Sequence, residues 1–194
     1  MEMYLVRHTI TVADKTVCYG QTDVPVDTGQ FKISYPDICK KLPEKIDTVY
    51  SSQLIRCSIL AQQLVKEKYT SVSVTYDNRL KELNFGDWEM KKWDDINKEA
   101  LGKWMQKFTT EKVPCGESNA DLHERVVSFW NEILSQDKNC CIITHAGVMR
   151  SILSIINKSE LQNAFALYPV KYGDVIKITR LDDCSFKYTL LEAT

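Results

Sequence analysis

Five side chains in this sequence combine the types needed for chemistry on an anion. Arg7-His8 closes the apolar run Met3-Tyr4-Leu5-Val6, and His145 closes Cys140-Cys141-Ile142-Ile143-Thr144. Arg56 follows shortly after Ile46-Asp47-Thr48-Val49-Tyr50, and Glu82 sits in the mixed segment 79–89. An imidazole can be nucleophile, base or ligand near neutral pH, and a guanidinium is a permanent planar cation with forked donors. Two of each, a carboxyl group, and no metal-ligand spacing among His8, His145 and the cysteines fit phosphoryl transfer through a covalent phosphohistidine. Forked cations hold the phosphoryl oxygens, each charge-assisted hydrogen bond contributing roughly 1.5–3 kcal/mol. Nearby guanidinium charge keeps the imidazole neutral and nucleophilic. A carboxyl group protonates the leaving alkoxide and afterwards takes a proton from water. Taken singly, each residue has a plainer role: a strand-end histidine can satisfy a backbone carbonyl, and a strand-end arginine can pair with a carboxylate such as Glu82. A non-catalytic phosphate-binding module is the competing class. Glu82 argues against it, because a carboxylate would repel a ligand that is only bound.

For these groups to meet, the elements that carry them must share one edge of a sheet, since ligands of open α/β sheets bind beyond the carboxyl ends of the strands. Residues 3–6 and 140–144 read as buried parallel strands, and 46–50 and 71–76 as two further strands. Residues 174–181 and 186–191 read as a closing antiparallel hairpin. Residues 9–29 have no helical period, and a loop of that length usually binds or covers something. The pattern predicts a helix over 30–42 with Phe31, Ile38 and Leu42 inward and Pro36 in its first turns or splitting it. Ser51-Ser52 offer N-cap hydroxyls to a helix over 53–68 whose buried face is Leu54, Cys57, Ala61, Leu64 and Val65. Arg56 in its first turn opposes the helix dipole, a conflict that an anion bound at that end would remove. Residues 92–108 read as a helical insertion with Trp93, Trp104 and Phe108 as its core. After Pro114-Cys115-Gly116, a helix with capping-box character at Ser118 runs to 135 with Leu122, Val126, Phe129, Trp130 and Ile133 on one face. His123 on this helix reads as a surface or packing residue. The small turn Ala146-Gly147 precedes a helix over 148–157 and lets its N–H groups face an anion.

The 194 residues are 44% hydrophobic and 26% charged, ordinary values for one globular domain. A formal net charge of −1 without a polybasic block excludes an electrostatic footprint for nucleic acid or an anionic membrane. No apolar stretch has spanning length and no signal-peptide pattern precedes Met3, which makes a cytoplasmic protein the expectation. Seven cysteines without C-x-x-C spacing read as reduced, mostly buried thiols.

Five ordered segments resemble the motifs of the histidine phosphatase superfamily, the phosphoglycerate mutase-like family. They are Leu5-Val6-Arg7-His8, Tyr50-Ser51-Ser52-Gln53-Leu54-Ile55-Arg56, Leu80-Lys81-Glu82-Leu83-Asn84-Phe85-Gly86-Asp87-Trp88-Glu89, Gly116-Glu117-Ser118 and Thr144-His145-Ala146-Gly147-Val148-Met149-Arg150. The resemblance implies a three-layer α/β/α sandwich with a mostly parallel mixed sheet and an antiparallel edge. It implies one domain over 1–194, with a helical insertion at about 88–130 over the active-site edge. His8 would be the phosphorylated nucleophile, Arg7, Arg56 and His145 the phosphate pocket and Glu82 the proton donor, with no metal and no cofactor required. The partner would be a small phosphorylated metabolite. The loop Val17-Cys18-Tyr19-Gly20-Gln21-Thr22-Asp23-Val24-Pro25 looks most like that of α-ribazole phosphatases, which implies Tyr19, Gly20, Gln21, Thr22 and Ala146 as substrate-binding residues. Thr9 stands where the family commonly has glycine, Gln53 where it has proline, and Asp14 near a phosphate-binding asparagine of related mutases. With the chain closing at Thr194 soon after the last strand, hydrolysis is expected over mutase chemistry.

Overall fold

Alternation along two adjacent strands sets the architecture. In β1 (Glu2–Arg7) Met3 and Leu5 point to one face and Tyr4 and Val6 to the other, and in the neighbouring strand Cys140–Thr144 the residues Cys140 and Ile142 oppose Cys141 and Ile143. All eight are buried, so helices must cover both faces of the sheet. The structure, a computed structural model, describes residues 1–192. Its elements in order are β1, α1 (Thr28–Lys41), β2 (Thr48–Ser51), α2 (Ile55–Glu67), β3 (Val74–Tyr76), α3 (Lys98–Gln106), α4 (Asn119–Gln136), β4 (Cys140–Thr144), α5 (Ala146–Asn157), α6 (Ala164–Leu167), β5 (Val175–Arg180) and β6 (Phe186–Leu191). The six strands lie in the order β3-β2-β4-β1-β5-β6. The first four are mutually parallel, and β5 and β6 add an antiparallel edge beside β1. This is the mixed, helix-flanked sheet of the phosphoglycerate mutase-like fold.

One core cluster joins Met3, Leu5 and Ile142 to α4 and α5 through Leu122, Phe129, Val148 and Ile152. The other joins Tyr4, Val6 and Ile143 to α1 and α2 through Ile38, Leu60 and Leu64. The expected apolar stripe of α4 is the buried one, and Ser118 caps the helix in a reciprocal pair with Asp121.

Several local expectations change. Helix α1 begins two residues early because Asp27 caps it through Gln30 N, so Pro36 falls well inside an unbroken helix. Ser51 belongs to β2 rather than to a cap, and α2 starts only at Ile55 after Leu54, whose N–H reaches Ser52 Oγ. Strand β3 is half its expected length, as suits an edge strand with two exposed residues of three. The insertion holds a short turn of 3₁₀-helix at Trp93–Asp95 and then α3, rather than one helix over 92–108. Helix α5 opens two residues early, at Ala146.

Candidate active site

Register brings the strand ends together. Arg7 pairs with Thr144 and Ser51 with Ile143, so β1, β4 and β2 finish side by side. The ladder continues one step past them, with His8 N donating to Thr144 O at 3.1 Å and Ser52 N to Ile143 O at 3.0 Å. His8, His145 and the α2 residue Arg56 therefore converge, and all three are buried.

His8 Nδ1 lies 2.8 Å from Thr9 O. A carbonyl only accepts, so Nδ1 carries the proton and Nε2 keeps its lone pair. Burial holds the His8 pKa well below the ordinary imidazole value, helped by the charges of Arg56 and Arg7. The His145 ring stands 5.1 Å from the His8 ring, centroid to centroid. Its tautomer is the reverse one. Arg56 Nε donates to His145 Nδ1 at 3.3 Å, leaving Nε2–H to donate to Ser52 Oγ at 2.9 Å. Burial, then Arg56 and His8, also depress the His145 pKa.

The remainder of Arg56 is held by the loop before α1: Nη1 donates to Thr22 O at 2.9 Å, Nη2 to Gly20 O, and the guanidinium lies over the Tyr19 ring. Asp23 of the same loop accepts from Ile55 N at 2.6 Å and so caps α2 from 32 residues away. Arg7 reaches the loop before β5, where Nη1 donates to Val170 O at 2.8 Å and its cation lies 3.8 Å above the Tyr172 ring. Arg7 Nε and Thr9 Oγ1 are buried without a partner among the described residues.

Glu82 approaches from the segment after β3. Its Oε1 accepts from Leu83 N at 3.0 Å and its Oε2 from Gly147 N, in the first turn of α5, at 3.2 Å. A Cβ on residue 147 would run into Glu82 Oε1, so only glycine lets this carboxylate sit at the helix start. Ala146 is buried as the first residue of that helix.

The two imidazoles and two guanidiniums are thus brought together at the strand ends, and the Glu82 carboxylate is tied to the start of the helix that follows His145. The loop residues Gly20, Gln21 and Thr22 have their polar groups engaged in holding Arg56 and the Glu82 segment. Gln21 Nε2 donates to Glu82 O at 3.1 Å, while Thr22 N and Oγ1 donate to Glu89. Tyr19 shares its hydroxyl with Thr11 and Tyr172 at 3.0 and 2.9 Å, and burial pushes its pKa up to about 12. Asp14 turns to its own loop, accepting from Thr16 N and Oγ1 at 2.8 and 2.7 Å, and His123 packs on Ser151 Oγ at 2.8 Å.

Sequence reasoning missed the supports. Glu89 Oε1 accepts from Gln21 N and Phe85 N at 2.7 and 3.1 Å, tying the Tyr19 loop to the Glu82 segment. Arg125 engages all five N–H groups: two bind Glu117 in a bidentate pair at 3.0 and 2.9 Å, and three reach into the Glu82 segment, to the carbonyls of Arg79, Lys81 and Glu82 at 2.7, 2.7 and 2.9 Å. Its signal was an arginine three residues past the buried Leu122, hence on the inner side of α4.

This fold and this chain-wide sequence pattern define a family. The chain belongs to the histidine phosphatase superfamily (branch 1), whose family model matches residues 3–192, and so is a phosphoric monoester hydrolase. It is 26% identical over 174 residues to "Putative phosphoserine phosphatase 2" of Hydrogenobacter thermophilus, covering 86% of this chain and 83% of that protein. The α-ribazole phosphatase of Shigella flexneri superposes with a TM-score of 0.88 at 21% identity, covering 98% of this chain and 96% of that one. A mycobacterial glucosyl-3-phosphoglycerate phosphatase gives a TM-score of 0.85 at 18% identity, covering 100% of this chain and 99% of that one. Among the described residues no helix is long and apolar enough to cross a membrane.

Proposed function

We propose that this chain hydrolyses a small phosphorylated metabolite through a phosphohistidine on His8. His8 Nε2 attacks phosphorus; Arg7, Arg56 and His145 hold the phosphoryl oxygens; Glu82 protonates the leaving alkoxide and then takes a proton from the water that releases phosphate. The observation that carries this reading is the His8 ring itself, buried beside two guanidiniums with Nδ1–H committed to Thr9 O, hence neutral and nucleophilic at Nε2. Acid-labile phosphate on the quenched enzyme, lost together with turnover in His8→Ala, is the expected result. Comparable turnover by the alanine variant would remove the covalent step.

For the leaving group we propose α-ribazole, released from its 5′-phosphate during cobalamin nucleotide-loop assembly. Support comes from the resemblance of residues 17–25 to the loop of α-ribazole phosphatases and from an aromatic cavity beside Glu82 that suits a flat base. A cytoplasmic location fits the seven free cysteines. In a panel of phosphomonoesters, α-ribazole 5′-phosphate should have the highest kcat/KM; a sugar or nucleoside monophosphate that surpasses it would displace the name but not the mechanism.

A further inference from the structure

The turn before β5 fixes a tyrosine beside the nucleophile. Gly173 N lies 3.3 Å from both Arg7 O and His8 O, and Arg7 N donates to Asp174 O at 3.0 Å, so the backbone that follows Tyr172 is fastened to the end of β1. Gly173 makes this turn at φ +75°, a conformation in which a side chain would be strained. The Tyr172 ring covers the Arg7 guanidinium at 3.8 Å and stands 5.4 Å from the His8 ring, centroid to centroid. His8 is thereby flanked by two rings, those of His145 and Tyr172.

The Tyr172 hydroxyl has a proton to spare. Tyr19 Oη accepts from Thr11 Oγ1 at 3.0 Å and lies 2.9 Å from Tyr172 Oη. With Thr11 donating to its oxygen, Tyr19 passes its own proton to Tyr172, and burial keeps that proton on Tyr19 at neutral pH. The Tyr172 O–H is then left without an acceptor among the described residues. Tyr19 itself lies 5.2 Å from the Arg56 cation, so the joined hydroxyls connect a ring on Arg56 to a ring on Arg7. Tyr172 is 37% exposed, which leaves its O–H within reach of a ligand. An oxygen that arrives there also meets the field of the two guanidiniums, and that field favours an anionic oxygen over a neutral one.

We propose that Tyr172 is a further phosphate-binding residue, whose O–H donates to one oxygen of the phosphoryl group while Arg7 and Arg56 hold the others. Thr11 and Tyr19 stand behind it as a directed chain of donors. Because the bond is made to the phosphoryl group, it serves the ester and the released phosphate alike and is indifferent to the leaving group. The inference rests on the phosphomonoesterase reading and adds to it a contact that α-ribazole 5′-phosphate would make through its phosphate.

The test compares the wild type, Tyr172→Phe and Tyr19→Phe on α-ribazole 5′-phosphate, p-nitrophenyl phosphate and inorganic phosphate. Tyr172→Phe keeps the ring over Arg7 and removes only the O–H. It should lower kcat/KM by about five- to tenfold on both esters, and raise the Kd of inorganic phosphate, read by calorimetry, by about the same factor. Tyr19→Phe leaves the donor in place and removes only what orients it, so its losses should be smaller. An unchanged phosphate Kd in Tyr172→Phe would overturn the proposal. So would a loss confined to α-ribazole 5′-phosphate, which would put the hydroxyl on the leaving group, or a larger loss in Tyr19→Phe, which would make Tyr19 the donor. If the wild type hydrolyses neither ester and Tyr172→Phe still binds phosphate more weakly than the wild type, the phosphatase reading fails while the site stands.

Discussion

Replacing Arg125 by methionine should damage the reaction from a residue that touches no substrate. Its guanidinium holds the carbonyls of Arg79, Lys81 and Glu82 and the Glu117 carboxylate, whose Oε2 in turn accepts from Asn84 N at 3.0 Å. Breaking a buried ion pair on one side costs about 3–5 kcal/mol. Here the pair is partly wet, with side-chain exposures of 17% and 22%, so the lower end applies. A loss of about 3 kcal/mol lowers Tm by roughly 6–12 °C in a chain of this size. The Glu82 segment would then relax, and a displacement of about 1 Å in an acid group is worth up to about 10²-fold in rate. The loss should fall unevenly. In kcat/KM, which reports steps up to phosphorylation of His8, benzyl phosphate needs an acid for its poor leaving group and should lose about 10²-fold. p-Nitrophenyl phosphate hardly needs one and should lose less than about tenfold. A Tm within 2 °C of wild type, by the scale of about 2–4 °C per kcal/mol, or equal losses on the two esters would refute the claim that Arg125 positions Glu82.

Gly147→Ala should force the Glu82 carboxylate away from the start of α5 and cut benzyl phosphate turnover by about 10-fold or more, while alanine's better helix propensity offsets part of the strain. Full activity in that variant would show that the contact is dispensable. Acid should destabilise the fold early, because His8 and His145 are buried with pKa values depressed first by desolvation and then by Arg56. Below about pH 6.5 the unfolded chain binds protons that the folded chain refuses, so each histidine removes about 1.4 kcal/mol of stability per pH unit. Urea titrations from pH 7 to 5 should show this slope and His8→Gln should reduce it; a flat profile would mean the imidazoles are not held neutral. Glu89→Gln should loosen residues 20–22 and with them Arg56, seen as a raised KM for every phosphate ester together; a change confined to one leaving group would place Glu89 elsewhere.

What could be read from the sequence followed physical locality. Runs such as 140–144 are buried on both faces and apolar throughout, so their identity as central strands was legible, and so were the residues at their ends. Arg56 looked misplaced at a helix start for a sound reason, yet its resolution was not local: the acid that answers the dipole of α2 is Asp23, and the carbonyls that answer the cation belong to Gly20 and Thr22. Pro36 was misjudged because the start of α1 is decided by Asp27, outside the apolar period. Arg125, Glu89 and Tyr172 act across long sequence separations on loops without periodicity, where pattern carries no information. Their roles lie in satisfying donors, acceptors and charges of distant segments: Arg125 and Glu89 those of 79–89, Tyr172 those of Tyr19 and Arg7.

The central claim is that His8 Nε2 is the nucleophile, fixed by the Nδ1–H bond to Thr9 O. The most direct measurement traps the enzyme with a slowly dephosphorylating ester, digests it under alkaline conditions that preserve phosphohistidine, and identifies the isomer by phosphorus NMR. The account predicts a single phosphoramidate on His8, at Nε2. Phosphate on Nδ1, on His145, or on no histidine at all would contradict it.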